Sequence, residues 1–160
     1  MEPGRRRNFG GGREFLEFPN LYAEYNTLDT VRYSNEAWYA RNPPKTVRVD
    51  TIRLDDFLEQ ESLRPDVIKI DVEGAENLVI SGLLPYLKDN SPQIAMEYAT
   101  ADNAPHRQAA ASLAAEGYLS YAIDAAGGLQ ELTDIESYLT GLGLESDNIV
   151  FRRPPIGAFQ

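Results

Sequence analysis

The pattern of apolar and polar positions changes character at residue 42. Before it, FLEF, LYAEY and VRY are short aromatic and β-branched stretches separated by Pro19-Asn20, Asn26 and Ser34-Asn35. They predict short hairpin strands or an irregular cover. After Asn42-Pro43-Pro44, Val47, Val49 and Thr51 alternate with Arg48, Asp50 and Ile52, as in a strand. Asp55-Asp56-Phe57-Leu58 opens a short helix with acids in its first turn, which Arg64-Pro65 ends. Residues 67–72, VIKIDV, are an almost continuous apolar run, which predicts a parallel strand covered on both faces. Glu73-Gly74 turns the chain. Ala75, Leu78, Val79, Gly82, Leu83, Tyr86 and Leu87 then fall on one helical stripe, with Pro85 expected to break or kink the helix near Leu84.

The alternation continues to the end of the chain. Residues 93–98 read as a buried strand, and residues 105–116 as an Ala-rich helix stopped by Gly117. Residues 118–123 form the next strand, 125–128 a turn, 133–139 a helical turn or two, and 148–151 a closing strand. Strands alternating with helices imply an α/β fold with a doubly wound sheet. No internal repeat is visible.

The chain has 160 residues and a formal net charge of −10. That length is enough for one compact domain, and the acidic balance argues against a nucleic-acid partner bound through a broad basic surface. The charge is uneven. Arg5, Arg6, Arg7 and Arg13 make the head basic beside Gly10-Gly11-Gly12, Arg152 and Arg153 do the same near the end, and the acidic excess lies between them. Residues 1–14 read as a flexible basic, Gly-rich head, 15–153 as the folded domain and 154–160 as a tail. The absence of Cys removes disulfides, thiolate zinc sites and thiol nucleophiles, and a single His leaves little for an imidazole metal site or a triad. No apolar run approaches membrane-spanning length and the start lacks the apolar core of a secretory signal, so a cytoplasmic protein with no membrane partner is expected.

In open α/β sheets, ligands bind outside the carboxyl ends of the strands. Here those positions are acidic: Asp71 and Glu73 after the first strong strand, Glu97 near the end of the second, Asp124 after the third. Such carboxylates can bind a cation, orient hydroxyls or accept a proton from a substrate alcohol. Lys69, Asp71 and Glu73 share a side if the strand stays extended that far, and a Lys inside a buried strand needs an ionic partner. Glu76 reads as a first-turn acid that offsets the helix dipole. His106, beside Pro105 at a helix start, reads as a solvated first-turn residue. Tyr22, Tyr25, Tyr33, Trp38 and Tyr39 read mainly as packing, with an acceptor pocket as their functional alternative. Ser81 and Ser91 have no base to activate them.

Residues 47–76, VRVDTIRLDDFLEQESLRPDVIKIDVEGAE, carry a family resemblance. They resemble the FkbM-type methyltransferases, which show a "TLDD" segment followed by an "lKiDvEGaE" strand, turn and helix. Thr51 and Leu54-Asp55-Asp56 match the first with one departure in spacing, and Lys69 to Glu76 match the second throughout. Gly82, Ile94-Ala95-Met96-Glu97, Gly117-Tyr118 and the upstream Asn26-Thr27-Leu28, similar to an "NTL" segment, extend the likeness over about residues 15 to 151.

The resemblance implies a Rossmann-like class I methyltransferase fold and S-adenosyl-L-methionine as cofactor. It also implies methyl transfer to a hydroxyl of a sugar or secondary metabolite, so that a small molecule or glycan is the acceptor. On it, Asp71 and Glu73 are the catalytic candidates, Asp71 and Lys69 the cofactor contacts, and Asn26 and Glu97 the acceptor contacts; no metal site is assigned. The family's glycine-rich "DvGANxG"-like turn and the acid ending its second strand have no counterpart in the sequence. The chain therefore reads as the C-terminal half of the fold, with a missing N-terminal half or a second copy as possible partner. The alternative is a non-catalytic interaction module whose leading strand, residues 67–72, pairs its exposed edge with another polypeptide.

Overall fold

The structure, a computed structural model, describes residues 11–100 and 104–154. The described residues pack as two compact units, one holding 11–64 together with 72–75, the other 65–71, 76–100 and 104–154.

In the first unit, β1 (Gly11–Glu17) and β2 (Lys45–Thr51) form an antiparallel ribbon in which Gly11 faces Thr51 and Glu17 faces Lys45. Gly11 to Glu14, expected in a flexible head, are thus strand residues paired to β2; the Arg-Arg-Arg run lies outside the described residues. Between the strands run two short 3-10 turns, Asn20–Tyr25 and Tyr39–Arg41. Trp38 packs against Phe18, Tyr22, Tyr25, Tyr33 and Tyr39, with ring centroids 4.9 to 6.4 Å away. A unit with few buried aliphatic side chains gathers its apolar area from rings instead. Helix α1 (Leu54–Gln60) follows, and Arg53 clamps Asp55 at its start through Nε to Oδ1 (3.0 Å) and Nη2 to Oδ2 (2.9 Å).

The second unit is a five-stranded sheet built from β3 (Val67–Ile70), β4 (Gln93–Ala99), β5 (Leu119–Ile123), β6 (Leu129–Leu132) and β7 (Ser146–Arg152). Their order is β3-β4-β7-β5-β6. β3 and β4 are parallel, whereas β7 is antiparallel to both β4 and β5, and β5 forms a hairpin with β6. β6 was not anticipated, because Leu129-Gln130-Glu131-Leu132 is too short and too polar to show a period.

Helices α2 (Glu76–Leu87), α3 (Ala104–Ala115) and α4 (Ile135–Leu142) complete this unit. They pack on the sheet face that carries Ile94, Met96 and Tyr98, where Tyr98 and Phe151 line one cleft together with residues of α3 and α4. The α/β class is as expected, but winding on both faces is not present in this unit. Gln93, Ala95, Glu97 and Ala99, on the other face of β4, remain half-exposed. For the same reason β3 is not covered on both faces: Val67 is 61% exposed. Pro85 stays inside α2 rather than ending it, with its ring toward solvent. Of the expected α2 stripe, Ala75, Leu83, Tyr86 and Leu87 are buried, whereas Leu78 is exposed and Glu76 and Ile80 are buried in addition. No described helix is long and apolar enough to cross a membrane.

Candidate functional site

The carboxyl ends of the two parallel strands carry the acidic residues anticipated there. β3 stops at Ile70, and Asp71 projects just beyond it with its side chain 53% exposed. On the neighbouring strand, Glu97 brings a carboxylate oxygen to within 4.8 Å of one of Asp71. Two carboxylates at this separation can share a cation or grip adjacent hydroxyl groups. Ser146 Oγ on β7 donates to Glu97 Oε1 at 3.0 Å and fixes its orientation. Lys69 Nζ reaches Asp71 Oδ2 at 3.4 Å and the Ile70 carbonyl at 3.2 Å. Contrary to expectation, Lys69 is not a buried cation that needs rescue. It lies on the open side of β3, and its ion pair is largely solvated.

The strand does not stay extended as far as Glu73: β3 ends at Ile70, and the chain bends at Glu73 (φ 49°) and Gly74 (φ 95°). Glu73 belongs to the first unit, where Tyr33 Oη donates to its Oε2 at 2.9 Å and Arg32 Nη2 lies 3.8 Å away. Burial, and then the hydrogen bond to Glu73, push the Tyr33 phenol up to about 12. The Glu73 carbonyl accepts from Thr27 Oγ1 at 2.7 Å, and the same hydroxyl accepts from the Asp29 amide at 2.9 Å. Thr27 is fully buried, so the Asn26-Thr27-Leu28 segment grips the Glu73-Gly74 turn. Asn26 is committed to local structure as well, since its Oδ1 accepts from the Phe18 amide at 2.8 Å. Asp124, the fourth strand-end acid, accepts from the amides of Ala126 and Gly128 and serves the β5–β6 turn.

Two residues assigned bland roles prove to be buried. Glu76 is 1% exposed and His106 2%, with His106 Nδ1 3.6 Å from Glu76 Oε2 and 3.0 Å from the Glu97 carbonyl oxygen. Glu76 does stand in the first turn of α2, as expected, but buried; a solvated histidine does not fit this environment. The signal was present in the periodicity: Glu76 shares a stripe with Ile80, Leu83 and Leu87, and His106 shares one with Ala109 and Leu113. A carbonyl can only accept, so Nδ1 carries the hydrogen toward Glu97. Nε2 has no hydrogen-bond partner among the described residues.

On the helical face, α3, α4 and the sheet enclose an open cleft of about 360 Å³. Glu136 bridges it, receiving Tyr98 Oη at 3.0 Å and Arg107 Nε at 2.9 Å. None of Asp71, Glu73 or Glu97 lines this cleft, so the acidic strand ends and the cleft are separate features.

S-adenosyl-L-methionine demands acceptors for its ribose hydroxyls and donors for its carboxylate. Asp71 and Glu97 are suited to hydroxyl groups. Among the described residues no glycine-rich strand-to-helix turn supplies backbone amides for the amino-acid end. The described residues thus fit hydroxyls and do not fit the whole cofactor. No curated protein and no solved structure matches the chain. The family model for the methyltransferase FkbM domain matches residues 10–143, and the chain belongs to that family.

Proposed function

We propose that the protein is an S-adenosyl-L-methionine-dependent O-methyltransferase acting on a hydroxyl of a sugar or secondary metabolite, and that this chain supplies the acceptor side. The observation that carries this reading is the meeting of Asp71 and Glu97 at the carboxyl ends of two parallel strands, in a chain of a methyltransferase family. Asp71, exposed and held by Lys69, orients the acceptor hydroxyl and accepts its proton; Glu97, held by Ser146, binds a neighbouring hydroxyl. Lys69 holds the Asp71 carboxylate by an ion pair, and Glu73 lies in the turn that follows Asp71 along the chain. The amino-acid end of the cofactor is held by a polypeptide segment other than those described, from an N-terminal half or a second copy.

Transfer of a labelled methyl group to a panel of glycosides and polyols tests this on the protein as its cell makes it. Asp71→Asn is expected to reduce transfer by about 100-fold with an unchanged melting midpoint. Undiminished transfer in that variant would sink the assignment of Asp71. Calorimetric titration of the 160-residue chain with S-adenosyl-L-methionine tests the division of labour, and micromolar affinity would overturn it.

A second reading is supported by the edge of the sheet. β3 has a neighbour on one side only within its sheet. On this reading the chain is an interaction module that adds a partner's strand at β3.

A further inference from the structure

The Gln93 amide donates to the Asp66 carbonyl at 2.8 Å, so Gln93 directs its backbone groups toward β3. In a parallel ladder alternate residues share that direction, which gives Ala95 and Glu97 the same orientation. β3 ends at Ile70, opposite Met96, so the Glu97 carbonyl lies beyond the paired residues of the β3–β4 ladder. His106 Nδ1, in the first turn of α3, donates to it at 3.0 Å.

We propose that His106 and Glu76 are positioning residues that fix the carboxyl end of β4 and thereby hold Glu97 at the acidic strand ends. His106 stands between three elements. Its ring lies against the Tyr98 ring, with centroids 5.7 Å apart, its Nδ1 hydrogen takes the Glu97 carbonyl, and Glu76 at the start of α2 flanks the same nitrogen at 3.6 Å. A buried imidazole has two orientations and two tautomers, and a carboxylate beside Nδ1 favours the one that keeps its hydrogen on that nitrogen. Glu97 is then held from both ends, its carbonyl by His106 and its carboxylate by Ser146. This reading rests on Glu97 serving the acceptor side. Its physical content, the fixing of Glu97, can be measured with no cofactor or acceptor present, so its failure is distinct from a failure of methyl transfer.

His106 is the only histidine in the chain, so its ring gives a single set of resonances. Long-range nitrogen–proton NMR correlation of the wild-type chain is expected to show a protonated Nδ1, with scalar coupling across the hydrogen bond to the Glu97 carbonyl carbon. His106→Asn places an amide donor where Nδ1 stood and is expected to keep the Glu97 carbonyl and carboxylate shifts near wild type. His106→Phe keeps the ring volume without the donor and is expected to move both shifts and weaken the Ser146 contact. Hydrogen on Nε2 with none on Nδ1 overturns the proposal, and so do Glu97 shifts that are the same in His106→Phe as in wild type. Should His106→Phe fail to fold, the tautomer and the coupling in the wild-type chain decide the matter alone.

Discussion

Glu73 and Gly74 both adopt positive φ, and for a residue with a Cβ that region costs about 1 to 2 kcal/mol. A Cβ added at Gly74 would also meet the Arg32 guanidinium, although that is the movable end of a flexible side chain. Gly74→Ala is therefore expected to lower stability by about 1 to 2 kcal/mol in chemical denaturation, mainly through backbone strain. Tyr33→Phe removes the hydroxyl that binds Glu73 and should cost about 1 kcal/mol. Alkaline pH probes the same contact. Burial and a hydrogen bond to a carboxylate push Tyr33 up to about 12, and Tyr98 rises equally, by burial and its bond to Glu136, from an ordinary value of 10.0. A phenol whose folded pKa is raised contributes stability that is complete below pH 10 and lost as pH climbs from 10 through 12. Denaturation midpoints should fall across that window, and less steeply in Tyr33→Phe. The EGAE string was legible as a motif, but its reason was not. Thr27, Arg32 and Tyr33 lie about 40 residues upstream, and nothing local pairs them with Glu73.

At the scale of elements, α4 shows capping that the sequence signals well. Asp134 Oδ1 accepts from the Ser137 amide at 2.6 Å, and Gly143 in the left-handed region closes the helix, with the Leu144 amide returning to the Leu139 carbonyl. The bond from Ser137 holds the Asp134 carboxyl below its ordinary range. Its contribution is present above the unfolded pKa near 3.8 and fades as acid protonates it, so Asp134→Ala should flatten the acid limb of unfolding. Helix α2 was harder to read. Its apolar stripe is buried through Leu83, Tyr86 and Leu87, but packing that includes α3 also takes in Ile80 and Glu76, and leaves Leu78 outside. Pro85 survives in its last turn because the ring faces solvent, yet the Ser81 carbonyl loses an amide donor there. Pro85→Ala should raise stability by about 1 to 3 kcal/mol in thermal denaturation; an unchanged midpoint would mean the helix already bends around the ring without cost.

Across the whole molecule, the open edge of β3 separates the two functional readings. Asp66, Ile68 and Ile70 turn their backbone groups to β4, which leaves those of Val67 and Lys69 facing outward. Lys69→Pro removes an outward amide and the solvated ion pair to Asp71 but no hydrogen bond of the ladder to β4, so it should leave the sheet intact while abolishing any complex that adds a strand there. Size-exclusion chromatography with light scattering shows the outcome. A complex that persists in Lys69→Pro does not use this edge. The acidic excess has a dual meaning at this scale. Asp71 and Glu97 converge at strand ends, while Asp124 and Asp55 serve a turn and a helix start.

The sequence by itself determined the α/β class, nearly every strand and helix, the family, and the acids at the strand ends, because these follow from local periodicity and from contiguous motifs. Tertiary structure decided which sheet face the helices cover, that Lys69 is solvated, and that Glu73 pairs with Arg32 and Tyr33. It also decided that Glu76 and His106, 30 residues apart in sequence, meet in the interior. The physical reason is common to all of these. Burial belongs to the packing of several elements at once, and Glu73 and its partners, like Glu76 and His106, lie too far apart in sequence for one window to contain them.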